Sequence, residues 1–343
     1  MDLPFLSEIS EALSAFGQFV LVTTYKVFVT PSGGFSFASL VCSTLVALAY
    51  LYITTSRNRR RPLKLKVLMR AFFPKRILSS RSTRADVMFM FLNIFIFSII
   101  SSGAIMSHLT VSAAVQNFFL NLAGPVAPTA LPDAVTALIA TAAIYFAYEI
   151  GYYADHYLSH NVPFLWEFHK VHHTAEVLTP MTNARVHPFD TLLFFNILAL
   201  TMGGTTGILT YLFGKPSNDV SIYGVNAFFL MFYFVIGHLQ HSHFWIVFPG
   251  IWGRVILSPA HHQIHHSTNP AHFNKNLGNF TGFLDWMFGT LYVPGPKREK
   301  LVFGIVQDVA DPNTISETLI APVINAAGHL KPQPRKPQNA VPA

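Results

Sequence analysis

The chain has 343 residues, of which 51% are hydrophobic and only 11% are charged. Soluble domains carry about 25% charged residues, so this composition indicates a membrane protein. The net charge of +7 does not indicate nucleic-acid binding, because eleven of the 23 Lys and Arg residues lie in one segment, residues 57–84, between two apolar stretches. The single cysteine, Cys42, excludes an intrachain disulfide and a thiolate metal site.

Apolar segments follow one another along the chain, and a helix needs about 20 such residues to cross a bilayer. The predicted spans are residues 35–53, 87–107, 134–153, 191–213 and 222–237. The first 30 residues are predicted to form a further short or interfacial helix. The fold class predicted from this pattern is all-α, a polytopic membrane helical bundle with about four to six spans.

The basic segment 57–84 sets the predicted orientation, because cytoplasmic loops are enriched in Lys and Arg. The second span then leaves the cytoplasm, the third returns, and the fourth and fifth form a hairpin. Residues 154–190 and 238–294 are therefore predicted to meet on the cytoplasmic side as a helical cap. No nucleic-acid partner is expected.

Histidines are concentrated in these two segments, which hold fourteen of the 16 in the chain. Their spacings are HYLSH at 156–160, HKVHH at 169–173 and HHQIHH at 261–266. Residues three or four apart lie on one side of a helix, so each cluster can direct two or three imidazoles to one point. Eight to ten imidazoles are too many for one ion and fit two. Iron, zinc, copper and nickel all accept imidazole, and carboxylates are too scarce here for a carboxylate-rich di-iron site.

The three boxes HxxxH, HxxHH and HxxHH in a helical membrane protein resemble the fatty acid hydroxylase/sterol desaturase superfamily of membrane di-iron oxygenases. The surrounding stretches EIGYYADHYLSH, LWEFHKVHHT, NARVHP, SPAHHQIHHS and NLGNFTGFLDWMFGT extend the resemblance over residues 145–292. The chain departs from the family pattern at Tyr157, where Arg is common, and at Glu149, where Asp is common.

The resemblance implies a non-haem site with two Fe ions, O2 as co-substrate and electrons from a separate carrier. It implies hydroxylation or desaturation of an unactivated C–H bond in a lipid, which could be a sterol, a fatty acyl lipid, an ether lipid or an isoprenoid. The chain carries no flavin or nicotinamide motif, so an external cytochrome b5-, ferredoxin- or reductase-type partner is expected. The membrane would be the endoplasmic reticulum in a eukaryote and the inner membrane in a bacterium.

The candidate ligands are the box histidines together with two histidines of GHLQH, which are three residues apart and lie where the family usually supplies ligands. They are His156, His160, His169, His172, His173, His238, His241, His262, His265 and His266. Other side chains near the boxes are expected to orient the ligands or to serve the surrounding loops, and Asn183 and Arg185 could instead bind a polar head group or a redox partner. They are His187, His243, His261, Glu149, Asp155, Glu167, Asn183, Arg185 and Asp285.

Three regions are predicted along the chain. Residues 1–133 form N-terminal membrane helices with the basic loop, residues 134–294 form the catalytic domain, and residues 295–343 form a polar C-terminal segment with a disordered end.

Three other classes fit less well. A membrane zinc hydrolase needs fewer imidazoles and a general-base Glu beside them. A metal transporter or storage protein would carry its ligands within the spans. A bis-histidine haem protein would place them inside facing helices.

Overall fold

The computed structural model describes residues 4–31, 33–58, 65–100, 106–216, 218–222, 224–248, 250–306 and 311–330. Its architecture is a helical bundle, as predicted. The α-helices are α1 (Pro4–Phe28), α2 (Phe37–Asn58), α3 (Leu65–Phe72), α4 (Lys75–Leu78), α5 (Arg81–Ile100), α6 (His108–Ala123), α7 (Asp133–Asn161), α8 (Pro163–His173), α9 (Pro188–Phe213), α10 (Ala227–Phe232), α11 (His238–Gln240), α12 (Trp252–Val255), α13 (Pro259–His265), α14 (Phe283–Met287) and α15 (Ala321–His329).

Three helices in the described part of the chain are long and apolar enough to cross a membrane: Phe37–Thr54 within α2, α7 and α9. They coincide with the first, third and fourth predicted spans. The second predicted span, 87–107, begins in α5 and includes residues 101–105, which lie outside the described residues, as do residues 59–64 of the basic segment.

The fifth predicted span differs from the structure at its start. Its first described residues form two short antiparallel strands, β1 (Ser221–Ile222) and β2 (Val225–Asn226), not the beginning of a helix. The helix starts at residue 227, where the Asn226 side chain accepts hydrogen bonds from two backbone amides of α10. A π-helical segment, Tyr233–Gly237, then joins α10 to α11, and the apolar helical run ends at Gln240.

Helix α9 packs against α6 through two glycines. A Cβ placed on Gly203 would lie 2.8 Å from the carbonyl oxygen of His108, and one on Gly207 would lie 2.5 Å from that of Ser112. Both distances are shorter than real Cβ contacts, so the helices approach this closely only because no side chain stands between them. Small residues at such spacing are a common device of membrane helix packing.

A tight corner between α7 and α8 brings the first two histidine boxes together. Helix α7 continues beyond its predicted apolar end to Asn161, and α8 begins at Pro163, where proline is favourable because a first-turn amide has no helical partner. Only Val162 separates the two helices. The third box lies on α13, whose start at Ser258 is capped by the Ser258 hydroxyl and the His261 side chain. C-terminal helix α15 packs along α8.

Candidate metal centre

Two groups of buried histidines lie next to each other where α7, α8 and α13 converge. The first group is His156, His160, His169, His173 and His265, and the second group is His172, His241, His262 and His266. Within each group the ring nitrogens that could bind a metal all lie within 4.8 Å of one another. The groups adjoin, because the rings of His173 and His266 stack with centroids 4.5 Å apart.

Each HxxHH box supplies ligands to both groups. On α8, His169 and His173 face the first group and His172 faces the second; on α13, His265 faces the first group and His262 the second. Residues four apart differ by about 40° around a helix axis, whereas adjacent residues differ by about 100°. The two adjacent histidines of a box therefore cannot point the same way, and the box spans two sites.

Unpartnered ring nitrogens converge in the first group. The Nε2 atoms of His160, His169, His173 and His265 are buried and have no hydrogen-bond partner among the described residues. A buried polar atom without a partner costs roughly 1–3 kcal/mol, so four of them together are not explained by packing. A cation placed among them would satisfy all four.

In the second group, Nε2 atoms point at one another. His241 Nε2 lies 3.0 Å from His172 Nε2, 2.8 Å from His262 Nε2 and 3.0 Å from His266 Nε2. A neutral imidazole carries only one N–H, so these four nitrogens cannot all be donors to one another. Their converging lone pairs match the ligand set of a divalent transition metal.

Backbone carbonyls fix the orientation of three ligands. The Nδ1–H of His156 donates to Leu277 O at 2.7 Å, that of His265 donates to Lys275 O at 3.0 Å, and that of His172 donates to Arg185 O at 3.3 Å. A proton held on Nδ1 leaves Nε2 free to bind metal.

Two asparagines shape the loop that supplies two of these carbonyls. Asn274 and Asn276 both have φ of 56°, the left-handed region that asparagine tolerates better than most residues. The Asn276 side chain also donates to the His261 carbonyl at 3.0 Å and accepts from the Tyr292 amide at 2.8 Å. The loop 274–277 is therefore tied to α13 and keeps its carbonyls directed at His265 and His156.

Asp190 is a functional candidate that the sequence reasoning missed. Its carboxylate accepts a hydrogen bond from His169 Nδ1 at 3.1 Å, and both side chains are buried. It lies in the first turn of α9, where the His187 side chain caps the helix. The stretch RVHPFD could have indicated Asp190, because a proline after His187 predicts a helix start and places this acidic residue in the first turn, near the predicted ligands.

Burial keeps five of the imidazoles outside α7 neutral. Burial, reinforced by His169, lowers the pKa of His172 to about 3. Burial among neighbouring imidazoles also holds the pKa values of His173, His241, His262 and His266 well below 6.5. Metal binding requires neutral imidazole, so this environment keeps the ligands ready at physiological pH.

His238 lies outside both groups, although it was predicted as a ligand. Its Nε2 is 2.9 Å from Ser39 Oγ on α2. The reasoning that His238 and His241 share one helical face does not hold, because α11 ends at Gln240 and His241 already has φ −96° and ψ 68°. His241 therefore turns into the second group while His238 anchors the bundle to α2.

The other predicted histidines hold loops and helix ends. His187 Nδ1 accepts from the Phe189 amide, and its Nε2 donates to Leu319 O at 3.2 Å. His243 donates to Ala71 O at 2.6 Å, and His261 donates to Gly253 O at 2.9 Å. None of these four contacts is to a histidine of the two groups.

Three of the predicted acidic residues accept hydrogen bonds or form ion pairs away from the ring nitrogens of the two groups. Asp285 accepts from the amides of Leu277 and Gly278, both at 2.8 Å, so it supports the carbonyl that orients His156. Glu149 accepts from the Thr281 amide at 3.0 Å. Glu167 pairs with Lys170 and His329 on the side of α8 that meets α15.

A buried ion pair supports the second group. Arg185 and Asp86 are both fully buried, with Nε and Oδ1 3.4 Å apart. Arg185 also donates a hydrogen bond to Asn313 Oδ1 at 2.8 Å. The backbone carbonyl of Arg185 accepts the hydrogen bond from His172 Nδ1. Asp155 and Asn183, the remaining predicted residues, line a cavity of about 400 Å³ beside both groups.

Comparison with known proteins locates this site within a family. Residues 141–290 match the family model described as fatty acid hydroxylase. This part of the chain is a fatty acid hydroxylase domain. Its matched region contains every member of the two histidine groups.

Curated relatives of the fatty acid hydroxylase domain act on different lipids. The chain is 25% identical to alkylglycerol monooxygenase of Danio rerio over 47% of this chain and 32% of that protein. It is 31% identical to ornithine lipid hydroxylase OlsE of Rhizobium tropici over 47% of this chain and 44% of that protein. It is 28% identical to putative Delta(7)-sterol-C5(6)-desaturase 2 of Arabidopsis thaliana over 44% of this chain and 47% of that protein. The matched region thus spans less than half of each relative, and no solved structure matches the chain.

Proposed function

We propose that the protein is an integral-membrane di-iron oxygenase that uses O2 and external electrons to hydroxylate or desaturate an unactivated C–H bond of a lipid. The observation that carries this proposal is the pair of adjoining histidine groups, each with buried ring nitrogens that converge on one point. The fatty acid hydroxylase domain and the lipid-modifying relatives support it.

The nine histidines of the two groups would hold the irons, and His238 is not among them. Iron bound there supplies O2 activation and the oxidising power to remove hydrogen from a saturated carbon. The chain's own contribution is orientation and exclusion of water. Asp190 and the loop carbonyls fix the imidazoles, and the adjoining cavity, lined by Phe194 and Phe280, holds an apolar group beside them.

The proposal includes a multi-pass protein of the endoplasmic reticulum or a bacterial inner membrane, with the histidine groups facing the cytoplasm. Electrons come from a separate carrier. Exposed basic residues of the segment 57–84, such as Arg70, Lys75 and Arg76, would attract an acidic carrier and speed its encounter.

Metal analysis of the full chain in nanodiscs tests the proposal. We expect close to two irons per chain, about one iron fewer for His265→Ala in the first group and for His262→Ala in the second, and no change for the surface control His329→Ala. With a chemical or protein reductant and a panel of lipids, 18O2 should label an alcohol product or be consumed as an alkene forms. One zinc without iron would contradict the oxygenase and favour a hydrolase.

A further inference from the structure

A second cavity lies directly behind the one that borders the histidine groups. The first chamber, of about 400 Å³, is lined by His156, His169, His172 and His241 among others. The second chamber, of about 390 Å³, is lined by side chains midway along α7 and α9, including Ile144, Leu198, Ala199 and Met202. Both helices are candidate membrane spans, so the second chamber is directed into the bilayer region.

Three aromatic side chains line both chambers and form the partition between them: Tyr148, Phe195 and Phe229. The rings of Tyr148 and Phe229 meet edge to face with centroids 4.8 Å apart. Asn279 donates to the Tyr148 hydroxyl at 2.7 Å. The partition therefore includes three aromatic residues, and rotation of their side chains would connect the chambers.

The two chambers differ in polarity. The first is lined by six polar residues besides its histidines and tyrosines, namely Asp155, Asn183, Asp190, Thr191, Gln240 and Asn279. Asp155 is only 5% exposed, and its Oδ1 has no hydrogen-bond partner among the described residues. A buried carboxylate oxygen in this state is costly unless a donor reaches it. The second chamber is lined by Asn226 and His108 and otherwise by apolar, glycine and tyrosine residues.

We infer that one single-chain lipid occupies both chambers, with a hydroxyl- or amine-bearing polar group donating to Asp155 and its hydrocarbon chain passing the partition into the second chamber. Asp155 and Ile144 are separated by about 16 Å along α7. This is about half of the roughly 30 Å hydrocarbon core, the reach of one lipid chain. On the proposed oxygenase function, oxidation then falls on a carbon near the polar group and not in the middle of the chain.

Photo-cross-linking tests the binding mode without requiring turnover. The probes are two hexadecyl glycerol ethers, one with a diazirine at the chain end and one with a diazirine close to the ether oxygen, added to the iron-loaded full chain in nanodiscs. The chain-end probe should label residues 198–202, and the other probe should label residues 152–156 or 190–194. Labelling confined to lipid-facing positions such as Leu212 would overturn the proposal.

Two variants sharpen the test. Ala199→Phe fills the second chamber and should reduce chain-end labelling there at least tenfold while an octyl ether probe still labels the first chamber. Leu200→Phe, on the exposed side of the same helix, is the matched control and should leave both patterns unchanged. Unchanged chain-end labelling in Ala199→Phe would exclude the second chamber as the chain site.

The role of Asp155 has a separate readout. Asp155→Ala should reduce labelling by the glycerol ether probes at least tenfold. It should not reduce labelling by a diazirine-bearing hexadecyl methyl ether, which has no hydrogen-bond donor. Equal loss for both probes would contradict the polar contact. Because labelling needs no catalysis, correct labelling by a protein that forms no oxidised lipid would count against the oxygenase and leave this binding mode intact.

Discussion

A histidine that binds metal through Nε2 must place its Nδ1 proton elsewhere, and this centre does so by two kinds of contact. His156, His172 and His265 donate to backbone carbonyls, whereas His169 donates to the Asp190 carboxylate. A carboxylate partner makes the imidazole a stronger donor to a cation than a carbonyl does. Among these four ligands, His169 is therefore the one whose orientation is fixed by a side chain and not by the backbone.

We expect Asp190→Ala to weaken iron binding by about 10- to 100-fold, the usual effect of removing a hydrogen-bond partner of a ligand. Iron retention during titration with a chelator measures this directly. Asp133→Ala is the control, because the Asp133 side chain is 94% exposed and pairs with Lys215, far from either histidine group. Equal retention in both variants would show that His169 does not depend on Asp190.

The low pKa of the buried imidazoles predicts how stability varies with pH in the metal-free protein. Unfolded histidines take up protons below pH 6.5, whereas the pKa of about 3 keeps the folded His172 neutral until far lower pH. The free energy of unfolding therefore falls as pH decreases below 6.5, by up to about 1.4 kcal/mol per pH unit for each such histidine.

Thermal unfolding of the chelated protein in detergent at pH 7.5, 6.5 and 5.5 measures this dependence. Stability should change little from pH 7.5 to 6.5 and then decline. His172→Gln should decline less steeply, because it removes one of the groups that resists protonation. Stability that stays constant or rises down to pH 5.5 would contradict the prediction.

At the scale of helices, the histidine boxes indicated the candidate site because the spacing of the histidines within each box lies in one short stretch of sequence. Spacings of three and four place imidazoles on α7, α8 and α13, and charge and hydropathy together predicted that the two histidine segments lie on one membrane face. In the structure, histidines from both segments lie in the same two groups. The contacts of Asp190, Ser39 and the Arg185–Asp86 pair could not be predicted, because they join segments far apart in sequence. The prediction for His238 assumed that it shares a helical face with His241, but α11 ends at Gln240, before His241.

The close packing of α6 on α9 gives a prediction with an internal control. Gly207→Ala places a Cβ 2.5 Å from a backbone oxygen, which must move, and we expect a loss of about 1–3 kcal/mol of stability. Gly204→Ala places its Cβ in open space on the same helix. It should be neutral or slightly stabilising, because alanine favours the helix over glycine.

Comparison of the two variants by thermal unfolding in detergent isolates the contact from helix propensity. A Gly207→Ala protein as stable as Gly204→Ala would mean that α6 can move away from α9 at little cost.

In the molecule as a whole, the C-terminal segment packs on the outside of α8 and the loop before α9. Asn313 accepts from Arg185, Leu319 O accepts from His187, and His329 meets Glu167 on α8. Residues 311–330 thus bind α8 and the loop before α9 from outside. The end of the predicted polar tail, residues 331–343, lies outside the described residues.

The Arg185–Asp86 pair links this segment to the centre, so its loss should lower the stability of the whole fold. Arg185→Met leaves Asp86 buried without its charged partner, and we expect a loss of about 3–5 kcal/mol. Arg81→Met breaks the pair with Asp311, but the Arg81 side chain is 67% exposed, so the loss should be within about 1 kcal/mol. Unfolding temperatures of the two variants measure the difference, and similar small shifts would show that Arg185 is not central to the fold.

The π-helical segment Tyr233–Gly237 affects how this chain should be aligned with others. A π-helical turn holds one residue more than an α-helical turn, so it accommodates an insertion without displacing the helix on either side. A homologue with an unbroken α-helix here needs one residue fewer between Asn226 and His241 to place the same imidazole. The gap in such an alignment belongs within residues 233–237, and putting it elsewhere would pair His241 with the wrong residue.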